Sequence, residues 1–217
     1  FQYLAALQED KSKAGEAEKF EKIVKDEYKD YFEVIRGDEK GVTVIGLRGW
    51  GIGGTKKRPT LTEEARKLGE HDYDDMLLVI DPEGNLEIFD QVNFEGTSAR
   101  NRKKKGRSFP YPAIKDSSYD LVAWTHDGAS EDYPAVLLTK KNSLDTYLPT
   151  KEWNQFTKDF TAYGIEIHKG GKSWTFSEGC ITIFAPSGSS TWERFMSSFP
   201  SGANALTKVG TFDLMTL

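Results

Sequence analysis

The sequence has little cysteine, little histidine and no long apolar run: one cysteine and three histidines occur among 217 residues. A single cysteine excludes an internal disulfide and every zinc site that is built from several cysteines. No window approaches the roughly 18 apolar residues of a membrane-spanning helix, so no membrane span is expected. No basic-then-apolar leader is visible. Because the chain begins at Phe1 rather than Met, we expect it to come from a longer product that has lost a signal or delivery segment.

Strong charge of one sign is also lacking, since 29 basic and 34 acidic residues leave a net charge of −5. This balance gives no general affinity for nucleic acid, and no nucleic-acid partner is expected. Positive charge is concentrated in Arg100–Arg107, which holds six Lys and Arg side chains. Such a run is typical of a solvated loop, and the alternative is contact with an acidic polymer such as nucleic acid or an anionic wall component.

The strongest helical pattern lies near the N-terminus. Apolar side chains recur at three- and four-residue spacing over Glu16–Arg36, and Gly37 is a suitable helix end. Residues 8–19 are polar and of low complexity, which is typical of a linker. The chain is therefore divided into an N-terminal linker and helical arm, residues 1–37, and one catalytic domain, residues 38–217.

Beyond Gly37 the sequence reads mostly as short strands. A hairpin is predicted from Met76–Ile80 through a turn at 81–85 to Leu86–Phe89. Other apolar runs predict strands at Val42–Arg48, Leu121–Thr125, Ala135–Thr139 and Gly210–Leu217. Short helices are predicted at residues 62–68, Trp153–Phe160 and Ser190–Phe199. No alternating βαβ rhythm is present, so the expected fold is mainly β (α+β) with peripheral helices.

The stretch Gly164–Ile183 contains the only cysteine, Cys180, together with His168. Its two apolar ends predict two short strands, and the glycine-rich residues between them predict a long hairpin loop. In such a hairpin the imidazole ends one strand and the thiol begins the next. The two groups would then lie within hydrogen-bond reach, as an activated thiolate requires.

The residue types around this pair suit acyl transfer. An imidazole that takes the thiol proton creates the nucleophile and can later protonate a leaving amine. The backbone amides of Gly179 and Cys180 could stabilise the oxyanion that forms during attack. A backbone carbonyl within Lys169–Gly171 could fix the tautomer of His168. A buried cysteine that acts only as a small hydrophobe is the structural alternative.

The arrangement GIxIHxGG…SxGCIxI resembles the L,D-transpeptidase catalytic domain of bacterial cell-wall enzymes. In that family a strand ends in His-Gly or His-Ser, and a loop leads to Ser/Thr-x-Gly-Cys. The matching residues here are Ile167, His168, Gly170, Gly171, Ser177, Gly179 and Cys180. The resemblance implies a β-sandwich-like domain with Cys180 as nucleophile and His168 as base, oriented by a main-chain carbonyl just after it, such as that of Lys169. The elements GLRGW and YDD are similar to those of phage-associated and secreted-effector relatives.

The resemblance also implies a substrate, the tetrapeptide stem of peptidoglycan. Such enzymes attack the carbonyl of its third residue, release the terminal D-alanine, and pass the acyl group to an amine or to water. Substrate contacts would come from Ser177, Glu178, Gly170, Gly171, Arg48 and Trp174. Arg48 could instead cap its strand, and Trp174 could be a core aromatic. The chain departs from the family at Thr182, where Arg or Asn is common, and in its shorter His-to-Cys loop.

Two rival functions stay open at this point. His71, His126 and His168, with several nearby aspartates, could supply the ligands of a zinc hydrolase, although no HExxH motif is present. A non-catalytic wall-binding module is the other. The favoured prediction is a cofactor-free cysteine enzyme located outside the cytoplasm. It would be either an L,D-carboxypeptidase or an L,D-transpeptidase. Delivery as an antibacterial effector, with an immunity or delivery protein as a further partner, is part of this prediction.

Overall fold

The computed structural model describes residues 41–48, 73, 75–94, 113–128, 131–171, 177, 179–185 and 187–216. The predicted helices at 16–36 and 62–68 and the basic run Arg100–Arg107 lie outside these residues. In chain order the elements are β1 Val42–Arg48, β2 Asp75–Ile80, β3 Leu86–Asn93, β4 Ser118–His126, β5 Tyr133–Lys140, β6 Leu148–Asn154, β7 Asp159–Ala162, β8 Glu166–Gly170, β9 Ile181–Phe184, α1 Thr191–Ser197 and β10 Lys208–Thr216.

Eight strands form one closed barrel in the order β1-β10-β4-β5-β8-β9-β3-β2. The other two, β6 and β7, pair with each other as a separate two-stranded sheet. The predicted mainly β class is therefore confirmed. The predicted sandwich is not, because the main sheet closes on itself rather than forming two open layers.

The hairpin β2–β3 follows directly from its sequence. Apolar residues of β2 are buried along its whole length, and the Asp81-Pro82-Glu83-Gly84-Asn85 segment turns the chain. Gly84 has φ +89°, and its amide donates to the Asp81 carbonyl. Only glycine adopts that backbone conformation readily, which explains its place in the turn. The predicted hairpin is confirmed.

The barrel interior is filled by alternate side chains of its strands. Gly46 on β1 makes room for this core, because a β-carbon there would lie 2.9 Å from the side chains of Phe212 and Leu214. On β1 and β2 the intervening residues are buried too, so both faces of these strands are covered by protein. Core residues that position the site belong to β5, β8 and β9: Val136, Leu138, Ile167, Ile181 and Ile183.

The pairing of β8 with β9 differs from the predicted hairpin. The two strands are parallel, with Ile167 opposite Ile181 and His168 opposite Thr182. Because the strands are parallel, residues 171–180 must connect the end of β8 to the beginning of β9, which lies beside the beginning of β8. This return is short enough because β8 has five residues and β9 has four. His168 consequently lies inside its strand, not at its end.

The predicted helix at Trp153–Phe160 is wrong, because this segment is the end of β6, a turn and the start of β7. Its aromatic side chains are about half exposed and bury no helix face. The predicted helix at Ser190–Phe199 and strand at Gly210–Leu217 are confirmed as α1 and β10. Among the described residues, no helix has the length and apolar character needed to span a bilayer.

Candidate active site

The strand register assigns His168 and Cys180 to the same face of the sheet where β8 runs beside β9. Their neighbours Ile167 and Ile181 point into the core, and alternation sends His168 to the opposite face. Continuing the pairing by one residue places Cys180 beside Glu166. A strand spacing of about 4.8 Å and a rise of about 3.3 Å per residue put the α-carbons of His168 and Cys180 roughly 8 Å apart on one face. An imidazole and a thiol can bridge that separation.

The His168 ring is held in one tautomer. Its Nδ1 lies 2.9 Å from the Lys169 carbonyl oxygen, which can only accept, so Nδ1 carries the proton and Nε2 keeps its lone pair. The ring is 2% exposed. Burial, followed by the nearby His126 charge, lowers the pKa of His168 from 6.5 to about 4, while the bond to Lys169 opposes that shift. The imidazole is therefore neutral at physiological pH, with Nε2 unprotonated.

The turn before β9 is fastened by a buried serine hydroxyl. Ser177 Oγ donates to the Cys180 carbonyl oxygen at 2.7 Å and accepts the Gly179 amide at 3.1 Å. Gly179 has φ +127°, a conformation that favours glycine. These bonds differ from two expectations, because Ser177 is 1% exposed and so does not face a substrate, and the Gly179 amide is engaged within the turn. Both residues shape the position of the nucleophile.

The thiol of Cys180 lies at a partly exposed position. Its Sγ is 3.6 Å from the Gly164 carbonyl oxygen, a distance at which the thiol proton can be donated. Gly164 has φ +65° and precedes β8, so the chain bends sharply beside the sulfur. The sulfur thus lies beside this bend, at the residue immediately before β9.

A second cluster adjoins His168, and sequence reasoning missed most of it. Glu166 binds two side chains from β4: the His126 Nδ1 lies 2.6 Å from Oε2, and the Trp124 Nε1 donates to Oε1 at 3.1 Å. Ala135, on the strand between them, pairs with Trp124 and is small enough for both β4 side chains to reach across. The His126 ring stacks on the His168 ring with centroids 4.5 Å apart and planes 11° apart.

Tyr133 completes the wall of this cluster. Its ring lies 5.0 Å from the His126 ring and 4.3 Å below the Lys169 ammonium. Burial, and then the nearby charges of Glu166 and Cys180, raise the pKa of Tyr133 to about 12, against a backbone hydrogen bond from Lys169 that lowers it. The tyrosine therefore stays protonated. No motif in the sequence indicates it, because only the register of β5 brings it here.

The predicted substrate contacts Gly170 and Gly171 have a packing role. Tyr73 donates to the Gly171 carbonyl oxygen at 3.0 Å, and its ring packs edge-on against Phe184. A β-carbon at Gly170 would overlap the Tyr73 hydroxyl group, so glycine is required there. The two glycines let Tyr73 close over the end of β8. Tyr73 belongs to the YDD element that the sequence pattern singled out.

Arg48 is anchored within the protein. Its Nε lies 3.0 Å from Asp116 Oδ1, and one terminal nitrogen donates to the Ile114 carbonyl oxygen at 2.7 Å. The guanidinium also lies 5.6 Å from the Phe94 ring centre. With its side chain 8% exposed, Arg48 matches the strand-capping alternative rather than the predicted carboxylate contact.

Of the remaining predicted contacts, Glu178 and Trp174 lie outside the described residues. Thr182, which stands where the resembled family often has Arg or Asn, is fully buried. Its side chain therefore faces protein rather than an incoming peptide. A substrate contact from this position is absent.

The zinc alternative finds no support in the part of the chain that the structure describes, where no group of three or more His, Cys, Asp and Glu side chains could hold a metal ion. His126 and His168 lie face to face, so their nitrogen atoms do not converge on one point. His71, the third histidine of that hypothesis, lies outside the described residues.

With this geometry in view, comparisons of the chain with protein-family models, with curated proteins and with solved structures find no match.

Proposed function

We propose that this protein is a cysteine acyl-transfer enzyme that acts on peptidoglycan stem peptides and releases D-alanine from tetrapeptides. The observation that carries the proposal is the hydrogen bond from His168 Nδ1 to the Lys169 carbonyl oxygen, beside the strand that begins after Cys180. That bond leaves Nε2 as a base on the sheet face that carries the thiol.

The acylation step uses groups of this chain alone. The Cys180 thiol passes its proton to His168 Nε2 as the sulfur attacks the carbonyl carbon of the third stem residue. The C–S bond forms, and the carbonyl oxygen takes up negative charge. When the intermediate collapses, the C–N bond to D-alanine breaks and the imidazolium returns the proton to the leaving amine. The product is a thioester on Cys180.

Release of the acyl group follows the same route in reverse. The neutral His168 removes a proton from water or from an acceptor amine, which attacks the thioester carbon. The C–S bond breaks and the sulfur recovers its proton. Water yields a tripeptide, an L,D-carboxypeptidase outcome, while an amine yields a cross-link or an exchanged D-amino acid.

The wider proposal keeps its other parts. It places the enzyme outside the cytoplasm, relates the closed-barrel domain to the L,D-transpeptidase family with an N-terminal helix before it, and favours a delivered toxin or phage-type protein. An immunity or delivery protein would be the macromolecular partner. The resemblance in GIxIHxGG…SxGCIxI supports these parts.

The test is incubation of purified tetrapeptide muropeptides with the protein, followed by product masses. Loss of one D-alanine without an adduct indicates hydrolysis, dimers indicate cross-linking, and substituted tetrapeptides indicate exchange. We expect one of these three products from the wild type, and none from Cys180→Ala.

A matched control is Ser143→Ala, a change at an exposed turn distant in sequence from the site. It should leave product formation unchanged. Turnover by Cys180→Ala equal to that of the wild type would contradict the proposal, as would unchanged tetrapeptides in the presence of correctly folded wild-type protein.

A further inference from the structure

Glu166 and His126 form a hydrogen-bonded pair that the proposed chemistry does not use. Glu166 lies on β8 two residues before the base, and both of its carboxylate oxygens are bound by β4 side chains. The pair is only partly shielded, with side chains 25% exposed for His126 and 15% for Glu166. A carboxylate bound at both oxygens has few orientations, so it fixes the place of the His126 ring.

The His126 ring is fixed against the face of the His168 ring. The planes of the two imidazole rings are within 11° of parallel, and the ring centres are 4.5 Å apart. A ring stacked at that distance excludes water from one side of the His168 ring. The 2% exposure of His168 agrees with such cover.

We propose that His126, anchored by Glu166, which Trp124 also binds, is the positioning residue of the base: its ring covers His168 and fixes the plane of that imidazole. The inference rests on the proposed function only in naming His168 as the base. His126 itself touches no reacting atom in this scheme. It acts through His168, and Glu166 acts through His126.

The charged and titratable groups around His168 come from several elements. On β8 they are Glu166 and Lys169, on β4 His126, on β5 Tyr133, and before β9 Cys180. Burial is the largest cause of the lowered pKa of His168, and the His126 charge is the second. Both causes depend on His126, through the area it covers and through its charge. Removal of the ring should therefore change the titration of His168 more than any other substitution in this set.

The experiment follows the imidazole resonances of His168 against pH by NMR in the full-length protein. We expect a wild-type midpoint near 4 and, in His126→Ala, a rise of about one pH unit or more towards 6.5. His126→Phe keeps a flat ring for the stack but loses the charge and the hydrogen bond to Glu166, so its midpoint should lie between the two. Glu166→Leu removes both hydrogen bonds to the anchor and also a negative charge whose loss alone would lower the midpoint, so a rise in this variant reports loss of the cover by His126.

Thr125→Ala is the matched control, because Thr125 is the exposed neighbour of His126 on β4 and alternation directs it to the other face. Its midpoint should equal that of the wild type. An unchanged midpoint in folded His126→Ala would overturn the proposal, and a shift of equal size in His126→Phe would overturn its covering role. The titration needs no substrate, so absence of muropeptide turnover would contradict the proposed function and leave this result standing.

Discussion

At the scale of single residues, Thr182 is an unusual occupant of its position. It is fully buried beside His168 in the strand register, and its Oγ1 has no hydrogen-bond partner among the described residues. A buried hydroxyl without a partner costs free energy, whereas valine has the same shape and no polar atom. Thr182→Val should therefore raise the free energy of unfolding by about 1 kcal/mol.

Urea unfolding followed by circular dichroism measures this change. The control is Thr161→Val, because the Thr161 hydroxyl donates to Asp159 Oδ1 at 2.6 Å and its loss should not stabilise the protein. A lower unfolding free energy in Thr182→Val would show that the hydroxyl is satisfied in solution.

Gly170 lies at a position where a larger side chain would collide with a neighbour. An added β-carbon would overlap the Tyr73 hydroxyl group, which is bound to the Gly171 carbonyl oxygen. Gly170→Ala should displace Tyr73 and lower the free energy of unfolding by about 1–3 kcal/mol, the usual cost of overpacking. Chemical denaturation measures the loss. Gly188→Ala is not an equal control, because φ is +84° there and strain alone destabilises it.

A better comparison uses the clash itself. Tyr73→Phe removes the oxygen atom that an alanine at 170 would meet. The double variant should therefore lose less stability than the sum of the two single variants. Strict additivity would mean that Tyr73 and Gly170 do not interact.

At the scale of elements, the turn from Ser177 to Cys180 fixes the backbone position of Cys180. The Ser177 hydroxyl is buried and binds both the Gly179 amide and the Cys180 carbonyl oxygen. Ser177→Ala leaves two backbone groups unpaired, which should cost about 1–3 kcal/mol of stability. The same change should slow alkylation of Cys180 by iodoacetamide, since the sulfur loses its fixed position.

Because Cys180 is the only cysteine, the alkylation rate reports on it alone. Ser143→Ala is the control: Ser143 Oγ also accepts a backbone amide, that of Asp145 at 3.1 Å, but in an exposed turn. Its effect on stability should be small and its effect on alkylation nil. Equal alkylation rates in Ser177→Ala and the wild type would show that the Ser177 hydrogen bonds do not affect the reactivity of Cys180.

Elements whose signals are local could be predicted from the sequence. The β2–β3 hairpin is one, since its turn carries Asp-Pro-Glu-Gly-Asn between apolar runs. The segment Trp153–Phe160 misled because its aromatic spacing matches a helix while its rings are exposed. Local polar bonds decide that turn: the Asn154 side chain accepts the Phe156 amide, and Lys158 takes φ +58°. Such hydrogen bonds between side chain and backbone favour a turn, and the spacing of apolar residues does not reveal them.

The site divides in the same way. Cys180, His168 and the carbonyl that orients the imidazole fall within one stretch, so their roles could be proposed from sequence. The parallel direction of β8 and β9 could not, because a long loop permits either direction. His126 was noticed only as a zinc candidate, and Glu166 not at all. Their meeting depends on the registers of β4, β5 and β8, which no short motif encodes.

At the scale of the whole molecule, the barrel closes through its first and last described strands. β1 and β10 pair in parallel from Val42 opposite Gly210 to Arg48 opposite Thr216. Gly210 is needed at this seam, since a β-carbon there would overlap the Val42 carbonyl oxygen. Every barrel strand thus has two neighbours, and the buried base lies within a single cooperative unit. Protonation of that base must therefore be linked to global unfolding.

The direction of the linkage follows from the lowered pKa of His168. In the unfolded chain the imidazole binds a proton below about 6.5, but in the folded chain only below about 4. Between these values the unfolded state holds more protons, so the free energy of unfolding falls as pH falls and levels off below about 4. The full window is worth on the order of 3 kcal/mol.

Urea unfolding at pH 7 and at pH 4.5 should show most of this loss in the wild type. His168→Gln, which cannot titrate, should lose less over the same interval, by roughly 2–3 kcal/mol. Parallel losses in the two proteins would mean that His168 is solvated or already protonated in the folded state. A base with that property could not be the dry, neutral imidazole on which acyl transfer at Cys180 depends.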